Sequence, residues 1–387
     1  MADMLEALRK QLRPKHDNKA IEQFLRTLQK KLAGARVVAG GSYAKGTSIK
    51  GLHDIDVFVK FPKDSLALSE QIAKALPKLE RLHGSRDYFQ VKHQGYVFEL
   101  VPVLDIMDWR EAENITDMSP LHVAYVQTKL NQRMKDDVRL AKQFCKAAGV
   151  YGAESYIRGF SGHVLEMLIL TYRNFEALLK ATAGWKAQIV LDPEKHYVSP
   201  EAALLRLNEA KTQSPLIIID PVQPDRNAAA ALSREAFETL KERAAAFLKK
   251  PSKAFFDIKV NKLAIKKQWK AKVLFVTANS PKGKPDVVGC KMRDRHDKAI
   301  QLFKESGFSL VHADWRFDKQ CIAWYVLKET RVPELTEHQG PPSKMHQAVA
   351  AFREKHETAY ERSGRWYAKV KRKYTTGQQV LNAAWKQ

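Results

Sequence analysis

The spacing of apolar residues changes period several times along the chain. Residues 16–33 place Ile21, Phe24, Leu25, Leu28 and Leu32 at intervals of three and four, the stripe of an amphipathic helix, and Gly34 stops it. RVVAG (36–40) and DIDVFVKF (54–61) have the β-branched and aromatic content of strands, with Pro62 ending the second. A helix is predicted over about 65–76 and another strand over YVFELVPVLDI, 96–106. Helix, strand, glycine loop, strand, helix and strand describe an α+β module over residues 1–135.

From residue 136 the period becomes helical. DDVRLAKQFCKAAG and FSGHVLEMLILTYRNFEALLKATAG both repeat apolar residues at three and four, and a further helical piece near 229–248 follows the turn DPVQPDRN. Residues 136–250 therefore read as a helical central domain. From about 255, KVLFVTA, a helix at 294–306, SLVHADWRF and QCIAWYVLKET give a β-α-β-β order. That order predicts a small sheet with a helix on one face, as in RNA-recognition-type (RRM-like) modules, forming a body over 251–341. QGPPSK reads as a hinge, and 342–387 as a short basic helical tail. The fold class expected is a multidomain α+β protein.

Length and charge narrow the partners. At 387 residues the chain exceeds one ordinary core, and a hydrophobic share of 44% is enough to fill several. Lys and Arg number 66 against 43 Asp and Glu, a net charge of +23 that suits a polyanion, nucleic acid first. The basic residues are spread along the chain and no 18-residue apolar run occurs, which argues against a membrane partner. The start MADMLEALRKQLRPKH lacks the apolar centre of a signal peptide, so a cytoplasmic location is expected. Cys145, Cys290 and Cys321 lack CxxC spacing and read as small hydrophobes.

The candidate chemistry begins in GGSYAKGTSIKGLHDIDVFVKF, residues 40–61. On a strand, Asp54 and Asp56 share one face while Ile55, Val57 and Val59 fill the other. Two adjacent carboxylates repel, and Mg2+, which takes carboxylate oxygens and keeps positions for water and phosphate, relieves that repulsion. Gly40 and Gly41 allow close backbone approach, Ser42 offers a hydroxyl and amides, and Lys45 adds charge. Together they describe a nucleoside triphosphate held beside a metal. Two-metal phosphoryl transfer wants a third carboxylate from a neighbouring strand. Glu99, an acid inside an apolar run, is preferred, because a buried carboxylate needs a metal or a strong donor. Asp105 has the same strand parity but lies at the strand end, where a solvated acid is ordinary.

These residues resemble the polymerase-β-like nucleotidyltransferases. VYGAESYIRGFSGHVLEMLIL (150–170), DPVQPDRNAAAALS (220–233) and RSGRWYAKVKRKYTT (362–376) resemble, more narrowly, the archaeal class I CCA-adding enzymes. The resemblance implies a nucleotidyltransferase palm and addition of C, C and A to the tRNA 3′ end from CTP and ATP with two Mg2+ ions. Asp54 and Asp56 fall on metal carboxylates, and Glu99 falls where the third is usually Asp. Gly41, Ser42 and Lys45 fall on the triphosphate loop, Lys45 at a position often held by Arg. His122, Lys142 and Tyr151 fall around the nucleotide, and Arg226 on the arginine that helps select C and A. The catalytic residues are shared with poly(A)-adding and with partial C- or A-adding transferases, and a decayed RNA-binding relative would keep the same fold.

For RNA, two basic stretches with aromatic residues stand out, KVNKLAIKKQWKAK (259–272) and RSGRWYAKVKRKY (362–374). Arg362, Arg365, Lys369, Lys371, Arg372 and Lys373 could neutralise phosphates, and Trp269, Trp366, Tyr367 or Tyr374 could stack on a base or cover a ribose. The resemblance implies tRNA as partner, gripped at its acceptor stem and TΨC arm, and is compatible with a homodimer. The family's tail continues past the position of Trp385, which implies weaker discrimination of tRNA from other RNA hairpins.

Overall fold

The computed structural model describes residues 1–51, 53–269, 272–318 and 320–386. They fall into two compact units, Met1–Ile258 and Lys259–Gln387. Leu52 of the glycine loop, Lys270 and Ala271 of the first basic stretch, and Gln387 lie outside the described residues.

In the first unit α1 (Ala2–Leu12) and α2 (Asn18–Lys31) precede β1 (Arg36–Ala39), the single turn α3 (Gly41–Ala44) and β2 (Asp54–Phe61). They are followed by α4 (Leu68–Ala75), β3 (Glu80–Leu82), β4 (Tyr88–His93) and β5 (Tyr96–Leu104). The sheet order is β1-β2-β5-β4-β3, with β2 and β5 parallel and the other pairs antiparallel. Period-two alternation on β2 sends Ile55, Val57 and Val59 to one face, where they pack with Phe98 and Leu100 of β5, Ile21 and Leu28 of α2, and Ile72 of α4. The other face carries Asp54 and Asp56, then Phe58 in a small cluster with Val103 and Val123.

The chain continues through α5 (Ser119–Lys129), α6 (Gln132–Ala148), α7 (Gly162–Tyr172) and α8 (Phe175–Ala183). After these come β6 (Ile189–Leu191), α9 (Pro200–Arg206), α10 (Glu209–Thr212), β7 (Leu216–Ile218) and α11 (Arg234–Lys249). The long apolar run 160–184 forms two helices, because Arg173 turns left-handed (φ 71°) and Asn174 caps the second by accepting from the Ala177 amide. A second core gathers Phe144, Leu165, Phe175 and Phe247 together with Leu5 and Leu8 of α1. The first helix thus packs with the helical part rather than with the sheet. Its Arg9 is buried, with Nε 2.7 Å from Asp137 Oδ1 and Nη2 3.0 Å from Glu176 Oε2.

The second unit holds α12 (Lys262–Gln268), β8 (Val273–Asn279), α13 (Pro285–Glu305), β9 (Leu310–Phe317), β10 (Gln320–Leu327), β11 (Leu335–Pro342), α14 (His346–Lys355), β12 (Tyr360–Arg362), β13 (Arg365–Lys371) and α15 (Gly377–Ala384). The expected β-α-β-β order is present as β8-α13-β9-β10, with sheet order β8-β10-β9. Met292 and Phe303 of α13 and Leu381 of α15 pack on Cys321 and Tyr325 of β10. Helix α13 starts nine residues before the 294 expected, with Pro285 in its first turn, where the missing N–H is not needed.

Two expectations fail here. QGPPSK is no hinge: Gln339 to Pro342 end β11, which pairs with β13 through a register shift. The tail is not helical through its basic stretch. RSGRWYAKVK is the hairpin β12–β13 of a second sheet ordered β11-β13-β12. Ser363 (φ 52°) and Gly364 (φ 77°) supply the two left-handed residues of a tight hairpin turn, and Trp366, buried Ala368 and Val370 alternate with Tyr367, Lys369 and Lys371. Among the described residues no helix is long and apolar enough to cross a membrane.

Candidate active site

The site is built on the acid face of β2 and β5. Asp56 stands opposite Glu99 in the parallel register, and Glu99 opposite Gln90 of β4, so the three side chains share one face. Gln90 Nε2 donates to Glu99 Oε1 at 2.6 Å. Burial pushes the Asp56 carboxyl up; Lys45 opposes this and Asp54 adds to it. Burial likewise pushes Glu99 up, against the Gln90 bond and with Asp56 and Asp54 repelling it. Among the described residues no Lys or Arg forms an ion pair with Asp54, Asp56 or Glu99. Asp105 has left the competition, ion-paired with Lys60 (2.6 Å) and Arg36 (2.9 Å) at the strand end.

The glycine loop presses on these acids. Gly40 N donates to Asp56 O at 2.7 Å, and Gly41 is left-handed (φ 52°) with its missing Cβ 1.6 Å from Asp56 Oδ2. Only glycine fits there. Ser42 leads into a turn whose carbonyl accepts from Thr47 and Ser48. Helix α6 then grips the loop: Arg139 donates to the carbonyls of Ser48 and Gly46, and Lys142 Nζ reaches Thr47 O at 3.1 Å.

Beneath the loop lies a buried charge cluster. Glu166, an acid inside the apolar helix α7, accepts from Lys45 Nζ at 2.8 Å and Thr47 Oγ1 at 2.7 Å, with Lys142 Nζ at 3.7 Å. Burial opposes its ionisation, but Lys45, His163 and Lys142 together hold its carboxyl well below the usual range. Burial drives Lys142 down to about 8 despite the pull of Glu166, with Lys45, Lys146 and Arg139 adding repulsion. Tyr151 lies beside it: a Cβ on Gly162 would sit 3.3 Å from Tyr151 Oη and 3.5 Å from Lys142 Nζ.

The third group centres on Asp220. His122 Nε2 lies 2.9 Å from both its oxygens, Arg226 Nη1 is 2.6 Å from Oδ2, and His163 Nε2 is 3.6 Å from Oδ2. Burial opposes the Asp220 charge, yet His122 and His163 keep it ionised far below the usual range. Burial lowers His122 in turn, against its bond to Asp220.

Of the residues singled out from sequence, the fold gathers Asp54, Asp56 and Glu99 on one face, Lys45 with Lys142, Tyr151 beside Lys142, and His122 with Arg226. Glu166, His163, Asp220, Thr47 and Arg139 contact these residues and are not singled out by the sequence. The signal that picked Glu99, an acid in an apolar run, was equally present in GHVLEMLIL for Glu166. The donor set Asp54, Asp56 and Glu99 is all oxygen and unneutralised, and so fits a hard divalent cation.

The basic hairpin stands in the second unit. Lys369, Lys371 and Lys373 are exposed, whereas Arg362 pairs with Glu337 at 2.6 Å, Arg365 donates to Gly340 O, and Arg372 donates to Ser306 O at 2.6 Å. The Arg353 guanidinium covers the Trp366 ring at 5.1 Å. Trp269 stacks on His312 at 5.1 Å and joins the Trp324 cluster.

Three family models match the chain: a nucleotidyltransferase domain over 19–122, the second domain of tRNA nucleotidyltransferases over 136–257, and the C-terminal domain of CCA-adding enzymes over 270–387. The chain is 33% identical to the CCA-adding enzyme of Nanoarchaeum equitans, over 92% of this chain and 89% of that protein. It is 32% identical to the CCA-adding enzyme of Pyrobaculum aerophilum, over 89% of this chain and 81% of the other. Among solved structures, the RNA terminal uridylyl transferase Cid1 covers 67% of this chain and 98% of its own at a TM-score of 0.54 and 14% identity, a likeness of fold.

Proposed function

This chain belongs to the archaeal class I CCA-adding enzymes, and from that premise we propose how its own residues serve the reaction. It is a tRNA nucleotidyltransferase that acts on nucleotide substrates with divalent metal. In our reading the nucleotides are CTP and ATP, added as C, C and A without a nucleic-acid template. Asp54, Asp56 and Glu99 would hold two Mg2+ ions, which would supply Lewis-acid activation of the terminal 3′-hydroxyl and charge neutralisation for the departing pyrophosphate. The observation that carries the reading is the in-register pair Asp56 and Glu99, two carboxylates raised by burial and left without a protein cation.

Lys45 and Lys142 converge on Glu166 beside the Gly41–Ser42 loop, so a triphosphate entering over that loop meets two preplaced ammonium groups. Tyr151 borders the same pocket. His122 and Arg226, oriented by Asp220, are the polar groups we assign to reading the base. Lys369, Lys371 and Lys373, with Arg362, Arg365 and Trp366, form the surface we assign to the acceptor stem and TΨC arm, held by shape and phosphate charge rather than by sequence, and Arg372 braces that surface from within. We place the reaction in the cytoplasm.

The test is a tRNA ending before CCA, incubated with labelled CTP, ATP or both, followed by sequencing of the 3′ ends. Ordered C, C, A addition is expected. Addition of C alone, of A alone, or of an A tail with both nucleotides present would replace this reading with a partial or poly(A)-adding activity. Asp54→Ala should lose all incorporation while still retarding tRNA on a gel.

A further inference from the structure

We propose that His122, His163 and Asp220 form a binding site for a borderline divalent transition metal ion of the Zn2+ type, and that filling it shuts the nucleotide pocket. Among the described residues, this is the one group of three such side chains whose ligand atoms all lie within 4.8 Å of one another. The two imidazoles face each other at 4.5 Å between ring centroids and both turn Nε2 toward the Asp220 carboxylate.

His163 supplies the strongest argument. Both its ring nitrogens are buried and fall short of a full hydrogen bond, Nε2 at 3.6 Å from Asp220 Oδ2 and Nδ1 at 3.9 Å from Glu166 Oε2. A buried imidazole left in this state costs free energy that a ligand to Nε2 recovers. Two imidazoles and a carboxylate are a zinc-type donor set with an open fourth position, whereas Mg2+ prefers the all-oxygen set of Asp54, Asp56 and Glu99. The chain therefore offers two sites that sort metals by hardness.

The surroundings support ligation. Asp220 Oδ1 is fixed by the amides of Val222 (3.0 Å) and Gln223 (3.2 Å), which orient the carboxylate. Glu166 Oε2 lies 3.9 Å from His163 Nδ1, on the side where a carboxylate orients a metal-bound imidazole. Arg226 is the competitor, since its Nη1 holds Asp220 Oδ2. Its side chain is 31% exposed and can swing into solvent when the ion arrives. The inhibitory consequence rests on the base-reading role proposed above for His122 and Arg226: an ion that ligates the one and displaces the other removes both from the base.

Chelator-stripped enzyme titrated with Co2+, an optical stand-in for Zn2+, tests the site without reference to activity. With Mg2+ in large excess to hold the carboxylate site, one Co2+ per chain with the intense visible bands of a four-coordinate site is expected, displaced by equimolar Zn2+. His163→Asn should weaken Co2+ binding by about tenfold or more, while circular dichroism and the melting midpoint hold. His346→Asn, in the second unit, is the control that should change nothing. Absence of the bands in the wild type, or unchanged affinity in His163→Asn, overturns the site. In the Mg2+-supported addition assay, Zn2+ should inhibit the wild type and spare His163→Asn. Equal inhibition of both, or Zn2+ binding without inhibition, overturns the switch. A wild type inactive even without Zn2+ would instead count against the catalytic reading and leave the Co2+ result standing.

Discussion

Asp56 and Glu99 face each other in register across the parallel strands β2 and β5, and among the described residues no cation of the protein pairs with either. Burial raises both carboxyls, so the folded chain holds these protons more firmly than the unfolded one. Their contribution to stability is then full below the ordinary carboxylate range and is lost as pH rises through the raised folded values. Asp56→Asn and Glu99→Gln remove that loss. Without metal, both variants should melt above the wild type at neutral pH, and the gap should close in acid. Mg2+ should raise the wild-type midpoint and leave that of the Asp56→Asn, Glu99→Gln double variant unmoved, while each single change lowers kcat by at least about 100-fold. Calorimetry across pH, with chelator and with Mg2+, checks each part; a wild type that melts highest without metal at neutral pH contradicts it.

On the nucleotide-binding role proposed for it, Lys142 gives the triphosphate pocket a pH limit. Burial drives its ammonium down to about 8. As pH rises through that value the pocket loses one of its two charges, so KM for CTP and ATP should climb while kcat changes little. Lys142→Met should raise KM at neutral pH and flatten the climb. Above pH 8, nucleotide binding should take up a proton, read by calorimetry in buffers of different ionisation heat. For stability the sign is opposite to that of the acids. A depressed lysine stabilises above its unfolded range and loses this as pH falls through about 8, so Lys142→Met should stabilise the free enzyme at neutral pH.

Glu166 is the counter-charge that makes two buried lysines tolerable. Glu166→Ala leaves Lys45 and Lys142 without their counter-charge, and removing one member of a buried pair costs about 3–5 kcal/mol. Glu166→Gln, which keeps the acceptor for Thr47 Oγ1, should cost less. Adding Lys142→Met to Glu166→Ala should recover part of the loss, because the two sites share one network. Urea denaturation of the wild type, Glu166→Ala, Lys142→Met and their double variant measures the coupling, and simple additivity would show that Glu166 and Lys142 act independently.

How far these features could be read from sequence depends on the range of the interaction behind them. Strand β2 was legible to the residue, because alternation and Pro62 are local signals. Glu99 was legible because a lone acid in an apolar strand has few physical explanations. Glu166 carries the same signal, but its partner Lys45 is 121 residues away, and no spacing rule pairs a helix acid with a loop lysine at that range. Helix α1 was lost for the same reason: its place is set by Arg9 reaching Asp137, 128 residues on. The basic hairpin was misread because Arg, Lys and Ala are good helix formers, while the strand signal rested on a two-residue Ser-Gly turn.

Gly41 tests how closely the loop must approach the acids. In Gly41→Ala the new methyl falls 1.6 Å from Asp56 Oδ2 on a backbone already at φ 52°, so the loop or the carboxylate must move. A destabilisation of about 1–3 kcal/mol is expected, with a fall in kcat/KM that tracks displacement of Asp56. Gly34→Ala is the comparison, since nothing lies within 4 Å of its Cβ position. There, loss of chain entropy in the unfolded state should stabilise by about 0.4–1 kcal/mol and leave activity alone. Chemical denaturation and steady-state kinetics on both variants decide the matter, and a fully active Gly41→Ala would remove the close approach from the account of the site.

The hairpin residues separate into two kinds that salt can distinguish. Lys369, Lys371 and Lys373 are exposed; Lys371 lies 3.4 Å from Glu334, and Lys369 stands opposite Glu337 in the β11–β13 register. If they neutralise RNA phosphates, each change to Ala should lower the slope of log Kd against log salt by about one and weaken tRNA and other hairpin RNAs alike. Arg372 is different. Its guanidinium bonds to Ser306 O and lies where a Cβ on Gly307 would meet it at 2.4 Å, which marks it as a brace between the hairpin strand and the end of α13. Arg372→Ala should therefore lower the melting midpoint with little change in salt slope, whereas Lys369→Ala should change the slope with little change in melting. Filter binding at several salt concentrations, paired with thermal melts of the same proteins, separates the two. A slope change for Arg372→Ala equal to that of the lysines would assign its charge to RNA after all.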